Sequence, residues 1–118
     1  MDTKDSSQLW MCDDKSLKSK GDVWMSEDKW RFKNTADRKF MYIENISNKK
    51  FLTANSNGTV IEEDYEDDKT GQLWKRGKPN IEGYFTLENY MKTDMKSTFL
   101  TSTSIGTLEI KGKELEFI

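Results

Sequence analysis

Histidine is absent from this 118-residue sequence, and cysteine occurs once, as Cys12. Without histidine the commonest general base is missing, and metal sites built from Cys and His are excluded. A single cysteine cannot form a disulfide within the chain, and the neighbouring Asp13 and Asp14 oppose formation of a reactive thiolate. We therefore expect Cys12 to serve packing, and we expect no catalytic residue, no metal site and no cofactor.

Long apolar runs are also missing. No stretch approaches the ~20 apolar residues of a membrane span, and the first ten residues, MDTKDSSQLW, lack the apolar core of a signal peptide. We expect no membrane insertion, and a location either in the cytoplasm or outside the cell after removal of a leader. Nothing in the sequence indicates an oligomeric state.

The charge balance shows no excess of one sign, since 21 acidic and 19 basic residues give a formal net charge of -2. Such a mixture provides no broad positive field for phosphate backbones, so nucleic acid is not an expected partner. Hydrophobic residues form only 34% of the chain, but an aromatic content of 12% is typical of a folded domain rather than of a disordered segment.

The most informative feature is an internal repeat. Residues 51–60 read FLTANSNGTV and residues 99–108 read FLTSTSIGTL, which share Phe, Leu, Thr, Ser, Gly and Thr in register. A shorter copy stands at the start, where LWMCDD aligns with FMYIEN and SLKSKGDVW aligns with FLTANSNGTVI. We predict one domain over residues 8–118, made of repeats at about 8–34, 35–78 and 79–118, with residues 1–7 as a tail.

Within each copy, short aromatic and β-branched runs separated by turn residues predict four strands, and therefore twelve strands in all. The recurring glycines at positions 21, 58 and 106 predict turns with positive φ. Trp30, Trp74 and Phe117 occupy the equivalent closing position of the three copies, which predicts that they are buried together. Gln8-Leu9-Trp10 falls on the first strand of a copy and is interpreted as a chance match to Gln72-Leu73-Trp74.

Three such copies, the second ending in Gln72-Leu73-Trp74, resemble the β-trefoil fold and its ricin B-type, or Gln-x-Trp, lectin branch, over residues 8–118. The resemblance implies an all-β trefoil with pseudo-threefold symmetry. Sugar sites of that family carry an acidic residue after the Cys-Leu pair, an aromatic platform after the glycine turn, and Asn before the Gln-x-Trp glutamine. Here the Asn position is Gly71, and the acidic positions are Lys18, Thr53 and Thr101.

Candidates for the aromatic platform are Tyr65 in the second copy and Trp24 in the first. Asp64 beside Tyr65 offers a hydrogen-bond acceptor for a sugar hydroxyl, as do Glu66 and Asp67. A solvated acidic loop with one half-buried ring explains the same run, EEDYEDD. The first hypothesis for function is a non-catalytic module of the ricin-like trefoil kind that binds a glycan at a divergent site. The alternative is a protein-interaction trefoil of the actin-bundler, cytokine or protease-inhibitor type, whose partner is a protein.

Overall fold

The computed structural model describes residues 8–13, 15–20, 24–67, 69–93, 96–103 and 105–112. Regular structure in these ranges is ten β-strands with the short 3₁₀ helix Thr70–Gln72, so the predicted all-β class is confirmed. None of the helical structure among these residues is long or apolar enough to cross a membrane. The strands are β1 (Trp10–Asp13), β2 (Ser16–Ser19), β3 (Met25–Asn34), β4 (Met41–Asn45), β5 (Lys50–Ala54), β6 (Val60–Glu63), β7 (Trp74–Arg76), β8 (Leu87–Thr93), β9 (Lys96–Ser102) and β10 (Leu108–Gly112).

All strand pairs are antiparallel, and they form one sheet in the order β1-β2-β3-β4-β7-β8-β9-β10. Strand β5 branches from this path by pairing with β4, and β6 pairs with β5. Two isolated bridges, Trp10 to Phe85 and Thr59 to Glu109, join parts of the sheet that are distant in sequence.

The strand count differs from the predicted twelve for two reasons. The third and fourth strands expected in the first copy are one continuous ten-residue strand, β3. The strand expected in KELEFI, at residues 113–118, lies outside the described residues together with Phe117.

The pairing register reproduces the alignment of the three copies. Within their first hairpins, Asp13 pairs with Ser16, Glu44 with Phe51 and Glu88 with Phe99, which are the residues that the repeat makes equivalent. The predicted turns are confirmed at Gly58 and Gly106, whose φ angles are 95° and 86°, while Gly21 lies outside the described residues. Because turn chemistry and strand alternation are local properties, the copies fold alike where their sequences agree.

The core is a single cluster in which Trp10, Trp30 and Trp74 are fully buried. The predicted common burial of Trp30 and Trp74 is therefore confirmed. Aliphatic side chains from matching strands surround the three indoles, among them Leu17, Leu52 and Leu100, one from each copy. Full burial of residues of this size is the main favourable contribution to folding.

The interpretation of Gln8-Leu9-Trp10 as a chance match is wrong. The Trp74 indole N–H donates to the carbonyl of Leu52 at 3.1 Å, and the Trp10 indole N–H donates to the carbonyl of Leu100, the equivalent residue of the third copy, at 2.9 Å.

The glutamines match as well, because the side-chain amide of Gln72 donates to the Asp64 carbonyl and that of Gln8 to the Gly112 carbonyl. Gly112 follows Gly106 at the same interval at which Asp64 follows Gly58. The start of the chain thus closes the third copy, and it also supplies the first strand of the first copy.

The three tryptophans differ in one respect that can be tested. Trp10 and Trp74 donate to buried carbonyls, whereas the indole nitrogen of Trp30 is buried without a partner among the described residues. Replacing Trp10 or Trp74 by Phe leaves a buried carbonyl with less hydrogen bonding, which costs ~1–3 kcal/mol. We expect W10F and W74F to lower the free energy of unfolding by about 1–2 kcal/mol more than W30F. Urea denaturation followed by circular dichroism measures the difference, and equal losses in all three variants would contradict the proposed role of the bond.

Candidate functional site

Tyr65 is the half-exposed aromatic residue of the loop that follows β6, with 51% of its surface accessible. Its ring makes edge-type contacts with Tyr42 of β4, at 5.5 Å between centroids, and with Phe51 of β5, at 5.9 Å. Such pairs add ~0.5–1.5 kcal/mol beyond the burial of apolar area. The ring is therefore supported by two paired strands while part of its surface faces solvent.

The buried Gln72 side chain fixes the backbone on both sides of Tyr65. Its amide nitrogen donates to the Asp64 carbonyl at 2.8 Å and to the Thr53 hydroxyl at 3.2 Å, and its amide oxygen accepts the Glu66 backbone N–H at 3.2 Å. Because these bonds satisfy both ends of one buried amide, the loop is tied to the core. The glutamine of the Gln-x-Trp motif thus positions the predicted site residue.

The Tyr65 hydroxyl donates to the Asp67 carboxylate at 3.2 Å. Hydrogen bonding with the Tyr42 side chain is the largest cause, and the bond to Asp67 the second, of a rise in the pKa of Tyr65 to about 12. Both interactions favour the protonated form of Tyr65, because only the phenol carries a proton that it can donate in a hydrogen bond. Tyr65 is consequently a neutral ring and a hydrogen-bonding group across the physiological pH range.

Asp64 lies beside the ring with its side chain 87% exposed, and its carboxylate is 3.2 Å from the Lys50 ammonium. Lys69 makes a similar pair with Glu63 at 3.2 Å, and the Glu63 carboxylate is the main cause of the raised pKa of Lys69. A shallow concavity of about 420 Å³ collects these groups around Tyr65. The acidic run is therefore interleaved with lysines and offers donors as well as acceptors.

Trp24 is not brought together with Tyr65 and Asp64. It is half-buried, its ring centroid lies 5.6 Å from that of Trp10 and 6.2 Å from that of Trp30, and it packs against the core cluster. The structure thus places the two platform candidates in different aromatic clusters.

Gly71 occupies the position at which the resembled lectin family carries asparagine. A Cβ atom at this position would lie 2.1 Å from the carbonyl oxygen of Ala54, which is backbone and cannot swing aside. The Gly71 carbonyl accepts a bond from the buried Asn89 amide at 3.0 Å. Close backbone approach therefore leaves no room for a side chain here, and that family contact has no counterpart in this chain.

Tyr90 was missed as a candidate by the sequence reasoning. It is 49% exposed on β8, and its ring lies 5.2 Å from that of Phe40 in a T-shaped pair. Concavities of about 510 and 480 Å³ adjoin it on two sides. The signal was available in the strand alternation, since Leu87 and Asn89 are buried and Tyr90 follows them on the outward phase.

No group of three or more His, Cys, Asp or Glu side chains in the described ranges is arranged to hold a metal ion. No family model, curated protein or solved structure matches this chain. The chemistry that the residues around Tyr65 offer is stacking on a neutral ring and hydrogen bonding to carboxylates, ammonium groups and a phenol.

Gly71 gives a direct test of the close approach. We expect G71A to lower the free energy of unfolding by about 2–3 kcal/mol, because the added methyl group collides with the Ala54 carbonyl. The matched control is G112A, whose Cβ would find its nearest neighbour at 4.0 Å and which should change stability by less than about 1 kcal/mol. Denaturant unfolding of both variants checks this, and a G71A variant as stable as G112A would disprove the constraint.

The titration of Tyr65 gives a second test. The raised folded-state pKa, against about 10 in the unfolded chain, means that the neutral phenol contributes stability below pH 10 that is lost as the pH rises through about 12. In D67N the carboxylate acceptor is removed, so the pKa of Tyr65 should fall toward its ordinary value. Tyrosine ring NMR across pH 9–13 measures the shift, and an unchanged pKa of Tyr65 in D67N would show that Asp67 contributes nothing.

Proposed function

We propose that this chain is a non-catalytic recognition domain of β-trefoil architecture that binds a glycan at Tyr65. The trefoil is supported by three copies with one hairpin register and by closing segments that reach equivalent carbonyls, from Trp74 to Leu52 and from Trp10 to Leu100. Since folds of this kind host many functions, the ligand has to be argued from the site itself.

The observation that carries the glycan proposal is the supported, half-exposed ring of Tyr65 among polar groups. A sugar ring presents an apolar face for stacking and hydroxyl groups at its edge for hydrogen bonds. Tyr65 supplies the stacking surface, Asp64 supplies acceptors, and Lys50 supplies donors close by. The loop is tied by Gln72 before a ligand arrives, which lowers the entropic cost of binding.

Binding fits these groups better than catalysis does. A carboxyl that acts as general acid needs a pKa raised by burial in a cleft. Asp64 and Glu66 have side chains 87% and 67% exposed, so water surrounds the carboxylates next to Tyr65. An exposed acidic side chain is suited to accepting a hydrogen bond from a ligand hydroxyl.

A glycan array compared across variants tests the proposal. We expect the wild-type chain to bind a defined set of glycans and Y65A to bind them about tenfold more weakly, because the stacking surface is removed. Y65F keeps the ring and should retain most of the binding. The matched control is I61A, which removes an exposed apolar side chain on the adjoining strand β6 and should bind like wild type.

Trp24 is unsuitable as a binding control because its ring packs on Trp10 and Trp30, so its removal would disturb the core. Wild-type protein that binds no glycan at millimolar concentration would refute the proposal. Capture of a specific protein from the native extract would then favour the protein-interaction alternative, with D64N testing whether the acidic loop takes part.

A further inference from the structure

The aromatic surface that begins at Tyr65 continues to a second exposed tyrosine. Among the aromatic side chains of the described residues, Tyr65 and Tyr90 are the two that are exposed. Tyr42, which contacts the Tyr65 ring, and Asp67, which accepts the Tyr65 hydroxyl, both line the concavity of about 480 Å³ that Tyr90 and Phe40 also line. The surroundings of the two exposed rings therefore share a wall.

A second concavity, of about 510 Å³, lies against the rings of Phe40 and Tyr90. It shares Phe40, Thr70 and Tyr90 with the first and extends to Lys75 and Glu88. Each volume falls within the ~300–1,000 Å³ of small-molecule sites. Tyr90 thus lines both concavities, and the smaller one extends to Tyr42 and Asp67, which contact Tyr65.

The Tyr90 ring is held in place before any ligand binds. Its backbone N–H donates to the Leu73 carbonyl at 2.9 Å. The neighbouring Asn89 is buried, donates to the Gly71 carbonyl and accepts the Met91 backbone N–H at 2.9 Å. With the Phe40 ring against it at 84°, Tyr90 presents a fixed surface to solvent, which is the preorganisation that binding favours.

The lining groups of this surface suit a neutral sugar. Thr70 offers a hydroxyl, Lys69 and Lys75 offer donors, and Asp37, Asp67 and Glu88 offer acceptors, so charges of both signs line the surface and the carboxylates exceed the lysines by one. The strands beneath are paired on both sides: β4 with β3, β5 and β7, β7 with β4 and β8, and β8 with β7 and β9. An extended peptide that binds by strand addition needs a free strand edge, and among the described residues each of these strands already has strand neighbours on both sides.

We propose that Tyr90 and Phe40 form a second subsite, which takes a further sugar ring of the same linear, neutral glycan that is bound at Tyr65. The inference rests on the proposed function, because it extends that site along the surface shared through Tyr42 and Asp67. A chain of sugar rings would stack on one tyrosine, cross the shared wall and stack on the other.

Isothermal titration with linear neutral oligosaccharides of one to six sugar rings, from the malto-, cello- and chito-series, tests the subsite. Wild-type affinity should rise with chain length and then level off once both tyrosines are covered. Y90A should bind the shortest ligands as wild type does and lose roughly fivefold affinity for the longest ones. Y90F should keep the gain with length, and I105A, which removes an exposed apolar residue elsewhere, should match wild type.

Tyrosine ring NMR with the same ligands provides an independent readout. Signals of Tyr65 should shift with short and long ligands, those of Tyr90 only with long ones, and those of Tyr84, which lies near Lys20, with neither. A Y90A variant with unchanged length dependence, while Y65A still loses binding, would overturn the subsite and leave the Tyr65 site standing. Failure of every series to bind wild type would overturn both.

Discussion

Inside the core, the indole N–H of Trp74 donates to the carbonyl of Leu52, and its counterpart runs from Trp10 to Leu100. Each bond ties the segment that closes a copy to the central hairpin of that copy. A buried carbonyl deprived of its donor costs ~1–3 kcal/mol, so this contact fixes both the depth and the orientation of the largest side chains in the domain. In the first copy, the indole nitrogen of Trp30 is buried without such a partner among the described residues.

The candidate site depends on the same motif. Gln72, two residues before Trp74, uses its buried amide to hold the loop on both sides of Tyr65. The motif whose tryptophan is bonded inside the core therefore also positions the exposed ring. Bringing the segment this close to β5 requires glycine at position 71. The geometry that orders the Tyr65 loop therefore leaves no space for an asparagine side chain at this position, and the polar groups next to the exposed ring are those of Tyr65 and its charged neighbours.

Local pairing governs the electrostatics of this surface. Lys50 pairs with Asp64, and Lys69 lies between Glu63 and Glu66, so two ammonium groups compensate part of the negative charge of the acidic run. Exposed pairs of this kind add little stability, typically ~0–1 kcal/mol. Their effect is to place hydrogen-bond donors and acceptors side by side around a neutral ring.

The amino-acid sequence by itself determined the all-β class, the register of the repeated hairpins, the turns at Gly58 and Gly106, and the burial of Trp30 and Trp74. These follow from side-chain alternation and turn chemistry, which act over a few residues. Only the tertiary structure decided that Gln8-Leu9-Trp10 closes the third copy, because its bonds join residues 104 and 90 positions apart. Likewise, the placement of Trp24 against the core and the proximity of Tyr90 to Phe40 depend on which strands lie side by side, a property that no local pattern encodes.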